Sequence, residues 1–185
     1  MNKLFKKVAV SIIGFGLLLT PAVTYASTTT STAEVSINPS DIVIEVMVNS
    51  LGKDALLNIE LEDGTTVSDH NVTFIENPQS RNSPLTQHFH FVAWITRDGV
   101  ISLSLDPVSA VRRTTASNMA AINAWNALAH TRTGMGSHPN WRNEGALRAQ
   151  FDCHVNYATN KDFWNLEPHR TSTNAIWTAI RGCNP

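Results

Sequence analysis

Apolar positions along this chain change their spacing part-way. Alternation and short β-branched runs come first, and a recurrence every three to four residues follows. Residues 42–48, IVIEVMV, lie between Asn38-Pro39 and Asn49-Ser50 and predict a strand. Residues 55–61, the Asp63-Gly64 pair and residues 65–67 predict a strand, a tight turn and a second strand. Residues 72–75 predict another short strand, and 77–84, with two prolines, a loop. Residues 87–96 and 100–105 flank Arg97-Asp98-Gly99 as a hairpin. Period-2 alternation sets Phe89, Phe91, Ala93 and Ile95 on one face and Trp94 on the other. Asp106-Pro107 predicts the end of that second strand, since proline cannot donate to the ladder.

From residue 117 the period lengthens. Ser117 is the expected N-cap of a helix over 117–130, with Met119, Ile122, Trp125 or Ala124, and Leu128 or Ala129 at helical spacing and Gly134 and Gly136 closing it. A second helix is predicted over 143–157, with Leu147, Phe151 and His154 or Val155 on one stripe; Gly145 weakens it by about 1 kcal/mol. A third, over 173–180, is expected to turn Ile176, Trp177 and Ile180 inward and to stop at Gly182. The expected fold is therefore α+β: an antiparallel sheet in the first half, packed against C-terminal helices.

The N-terminus changes the compartment. Lys3, Lys6 and Lys7 precede an apolar run over 8–19, Pro21 breaks it, and Thr24-Tyr25-Ala26 offers small residues for cleavage. This predicts a secretory signal over 1–26; the run is too short for a membrane span, which needs roughly 20 residues. A polar leader over 27–40 and a single domain over 41–185 follow. The signal's three lysines, taken from a formal −1, leave −4. That balance offers no basic footprint for nucleic acid or anionic lipid, and no stable membrane insertion is expected after cleavage. Cys153 and Cys183 are the only cysteines. An exported even pair predicts a disulfide, stabilising by roughly 3–4 kcal/mol. The alternative is two free thiols.

Several segments resemble a family of small secreted proteins, mostly of Gram-positive bacteria, known as a domain of unknown function, family 2599. They are Leu103-Ser104-Leu105-Asp106-Pro107, Ala124-Trp125, Gln150-Phe151-Asp152-Cys153-His154, Trp164-Asn165-Leu166-Glu167-Pro168 with Arg170, and Cys183-Asn184-Pro185. The resemblance covers about 87–185. It implies export, a terminal disulfide and a shared fold, and it implies nothing about catalysis.

Candidate chemistry gathers near the C-terminus. A Glu167–His154 pair would fix one tautomer and leave the imidazole as a general base, and Arg170 beside it would hold an anionic group. Asp152 and His169 are further candidates for binding. The competing reading is structural: Glu167 pairs with Arg170 or caps backbone amides, and His154 is a satisfied core residue beside Cys153. His88 and His90 share a strand face by period 2. A third metal ligand would have to come from His70, His138 or His154, and no zinc spacing is matched. Trp94 with His88 and His90 would make a flat binding surface if that face is open; if helices cover it, Trp94 is core. Gly134-Met135-Gly136-Ser137-His138 lacks the lysine of a phosphate loop, and Asn71-Val72-Thr73 fits a glycosylation pattern that a bacterial source makes irrelevant.

No metal or cofactor is expected. The sequence reads best as a secreted, extracellular or cell-wall-associated interaction protein without enzymatic activity. Its expected partner is an extracellular protein or a cell-envelope glycan. The alternative is a toxin-like or hydrolytic enzyme using His154, Glu167 and Arg170.

Overall fold

The computed structural model of the protein describes residues 42–49, 51–75 and 84–184. The expected signal, the polar leader and residues 77–83 of the expected loop lie outside them. All described residues fall in one compact unit. No helix among them is long and apolar enough to cross a membrane.

Five strands form one sheet: β1 (Val43–Met47), β2 (Asn71–Ile75), β3 (Phe89–Arg97), β4 (Val100–Pro107) and β5 (Trp164–Leu166). Their order is β2-β1-β3-β4-β5. All neighbours are antiparallel except β1 and β2, which run parallel. The sheet is therefore mixed and mostly antiparallel. A parallel pair cannot be joined by a tight turn and needs a crossover of a dozen or more residues. The chain between β1 and β2 is that crossover.

The crossover overturns two expected strands, 55–61 and 65–67; the second leaves only an isolated bridge at Thr66 before a 3-10 turn over Val67–Asp69. Residues Lys53–Leu57 form a helix, α1. Its sequence, KDALL, consists of helix formers apart from the aspartate, which sits in the first turn. The Asp63-Gly64 turn survives: Leu61 N–H donates to the Thr65 carbonyl (2.7 Å), and Glu60 bridges to Thr66. Leu56, Leu61 and Val67 of the crossover pack on Ile44, Val46, Phe91, Ala93 and Ile95, covering one face of the sheet.

The other face carries the larger core, under α2 (Ser109–Arg112), α3 (Met119–Ala129) and α4 (Glu144–Tyr157). Here Trp94, Leu103, Leu105 and Trp164 meet Trp125, Leu128, Leu147 and Phe151. Helices thus cover the Trp94 face, and Trp94 is core at 1% exposure. A register shift between Phe89 and Phe91 breaks the alternation. Phe89 therefore packs with Trp94 and not, as alternation predicts, with Phe91. Asn118, not Ser117, caps α3, accepting from the Ala120 N–H (2.9 Å). Met119, expected inward, is exposed.

The last helix, α5 (Ala175–Ile180), is the clearest correction. Ile176, Trp177 and Ile180 are 74%, 47% and 72% exposed, and Thr178 is the buried residue. The Cys153–Cys183 disulfide lies against Ala158, with Ala179 packed beside it. A covalent clamp with a small contact thus holds α5 in place of an apolar stripe.

Candidate functional site

His154 sits on α4, whose inner face is buried. Its ring is 1% exposed and stacks on Trp164, 5.8 Å between centroids. Nε2 lies 3.2 Å from the Asn165 carbonyl of β5, which makes it the N–H nitrogen; Nδ1 makes no hydrogen bond. Burial pushes the pKa down to about 4, against the weaker pull of the Asn165 carbonyl and the Asn184 side chain. The ring is therefore neutral at pH 7. Its partner is a backbone carbonyl and not the Glu167 carboxylate.

Glu167 is committed elsewhere. Its carboxylate accepts from Arg170 Nε (2.5 Å) and faces His169 Nε2 at 3.5 Å. Its backbone is tied to the buried Gln150 side chain, which donates to the Glu167 carbonyl (3.2 Å) and accepts from its N–H (2.8 Å). Gln150 thereby extends the β5 edge onto α4, a role that no motif announces. Asp152 pairs with Arg148 one helical turn earlier, Nε to both carboxylate oxygens at 2.8 and 2.9 Å. This pair faces a groove between α4 and α5, of about 240 Å³, with Tyr157 and Ala175. His154 thus bonds to the Asn165 carbonyl while Glu167 and Arg170 bond to each other.

The histidines at the start of β3 do not gather. His88 is half-buried in the preceding turn, where burial lowers its pKa, and its carbonyl accepts from Val108 N–H (2.9 Å). His90 is exposed. Among the described residues no group of three His, Cys, Asp or Glu side chains is placed to hold a metal. Trp94 stacks on His138 (5.2 Å), whose pKa burial lowers against the pull of Glu45, 3.6 Å away.

Two further features escaped sequence reasoning. Arg112 clasps the β4 end to the loop before β5: it donates to the carbonyls of Pro107 (2.8 Å), Lys161 and Asp162 and pairs with Asp106 (2.8 Å). No sequence spacing marks that role. The second is an outward apolar face on α5, where Ile176 and Ile180 stand one turn apart beside Trp177. Arg181 lies 4.5 Å over the Trp177 ring. Its signal was the helix's shortness: six residues cannot bury a full stripe while a disulfide sets their position.

These features define a disulfide-clamped α+β domain with a neutral buried histidine and an exposed apolar helix. The chain belongs to the family described as Protein of unknown function (DUF2599), whose model matches residues 89–185. The match runs from β3 through the disulfide, leaving β1, α1 and β2 outside. No curated protein and no solved structure matches the chain.

Proposed function

We propose that the protein is exported and acts outside the cell as a non-enzymatic binding protein, docking a protein partner through α5. The observation that carries this reading is the outward apolar face of Ile176, Trp177 and Ile180, with Tyr157 72% exposed at the end of α4. Exposed apolar residues clustered on one short element mark interaction sites, whereas scattered ones do not. Two branched aliphatic side chains flanking one indole favour a protein groove over a glycan, which stacks on flat rings. The disulfide supports the exported part, because such bonds persist in oxidising compartments. The commitment of His154 and Glu167 to structural hydrogen bonds favours binding over hydrolysis.

The test uses the purified oxidised protein and the double variant Ile176→Ser/Ile180→Ser. Substitutions on a free surface stay within about 0.5 kcal/mol, so the melting midpoint should move by no more than about 2 °C. Saturable association of the labelled protein with cells of the producing bacterium should weaken at least about tenfold. Unchanged association would remove α5 from the reading, and a midpoint several degrees lower would show that its apolar residues serve the fold. Mass spectrometry of the culture medium tests export: a chain beginning near Ser27 is expected, and an uncleaved chain found only inside the cell would contradict it.

A further inference from the structure

The tip of the β3–β4 hairpin leaves part of a strand without a neighbour. β5 pairs with β4 only from Leu103 to Leu105, while β4 begins at Val100. Continuing β5 in register would bring Pro168 beside Ile101, and proline has no N–H to give. The chain instead turns back, with Arg170 N–H donating to the Glu167 carbonyl (3.1 Å). Val100 and Ile101 are paired with Arg97 and Thr96 on the β3 side, and among the described residues no strand pairs with them on the other.

A cavity of about 260 Å³ opens beside this edge. Val100, Ile101 and Pro168 form its apolar side, and Arg142, Asn143 and His169 its polar side. Asn143 is fixed there by its amide, which donates to the Pro168 carbonyl (2.8 Å). Arg142 is exposed and has no hydrogen bond or ion pair among the described residues. The nearby acid, Glu167, is already engaged by Arg170. None of the lining residues belongs to α5.

The geometry points to a site for an extended peptide that ends in an apolar residue with a free carboxylate. Such a chain adds a strand to the Val100–Ile101 edge, lays its last side chain on Val100, Ile101 and Pro168, and sets its carboxylate against Arg142. An open strand edge presents unpaired N–H and C=O groups that serve as a template for another chain. The cavity is slightly smaller than the roughly 300 Å³ at which small-molecule sites begin, and holds one or two residues.

The probe is an acetylated peptide of three valines and a final leucine, titrated into ¹⁵N-labelled oxidised protein. Saturable shifts are expected at the amides of residues 99–102, 143 and 169. The same peptide with its terminus amidated should bind roughly tenfold more weakly, as should the free-acid peptide to Arg142→Ala. The amidated peptide makes the comparison without touching the fold. Acetyl-leucine alone should bind far more weakly, because it cannot use the strand edge. Equal binding of acid and amide, or shifts confined to other surfaces, would overturn the site. Acetyl-leucine binding as tightly as the peptide would show a small-acid site and overturn the peptide reading.

Discussion

His154 has been taken out of water beside Trp164, and that burial couples the fold to pH. Its folded pKa is about 4 against an unfolded value of 6.5, so as pH falls the unfolded chain takes up the proton first. Stability is full above about pH 6.5 and is lost as pH falls toward 4, by up to about 3 kcal/mol from this group. The melting midpoint should therefore drop between pH 7 and pH 4.5, and His154→Gln should drop less over the same interval. His88 and His138 are lowered in the same direction and remain in the variant, so the difference between the two slopes reports His154. Equal slopes would show that His154 is protonated in the fold as readily as in the unfolded chain. At this scale residue types were legible, and the Glu167–Arg170 pair was one of two readings the sequence left open. Asp152, His154, Glu167 and Arg170 all stand out in the sequence, but which of them met depended on α4 lying against β5. That contact gave His154 the carbonyl of Asn165 and left Glu167 to Arg170.

Among the elements, α3 shows how a loop can be fixed by the space a glycine leaves. The segment after α3 folds back on the helix end: Met135 N–H donates to the Leu128 carbonyl (2.7 Å), and Gly134 N–H to that of His130 (3.0 Å). A Cβ on Gly136 would stand 2.0 Å from the Ala129 carbonyl oxygen, and one on Gly134 2.2 Å from that of Ala127. Both obstacles are backbone, so the loop itself must move. Gly136→Ala should cost about 3 kcal/mol or more, roughly 10 °C in a thermal melt. A shift within about 2 °C would show that the loop yields freely. Reading these glycines as helix terminators found the right place, while the close approach that requires them belongs to the fold. α1 and α5 went further astray. Residues 55–61 are an apolar run before the Asp63-Gly64 turn, a pattern that a strand also satisfies, and the crossover places a helix over Lys53–Leu57. The apolar residues of α5 match a helix pattern, but the disulfide set which side faces the protein.

The disulfide closes a separation of 30 residues and holds α5 and the chain end to α4. Removing it, by reduction or by Cys153→Ser/Cys183→Ser, should cost roughly 3–4 kcal/mol, or roughly 10 °C. The loss should be uneven: amide exchange in α5 should accelerate far more than in β3, which is buried on both faces. Uniform acceleration would mean that the clamp acts on the whole domain alike. The sequence by itself determined what local pattern encodes: the β1 and β3–β4 strands, the extents of α3 and α4 within two residues, the α+β class and the paired cysteines. Apolar period, turn residues and cysteine count are properties of a segment and its neighbours along the chain. The tertiary structure alone decided that β2 lies parallel to β1, that a bulge moves Phe89 to the Trp94 face, and that α5 turns its apolar side chains outward. Each of these follows from contacts between residues far apart in sequence, where packing and backbone hydrogen bonding outweigh the preferences of any one segment.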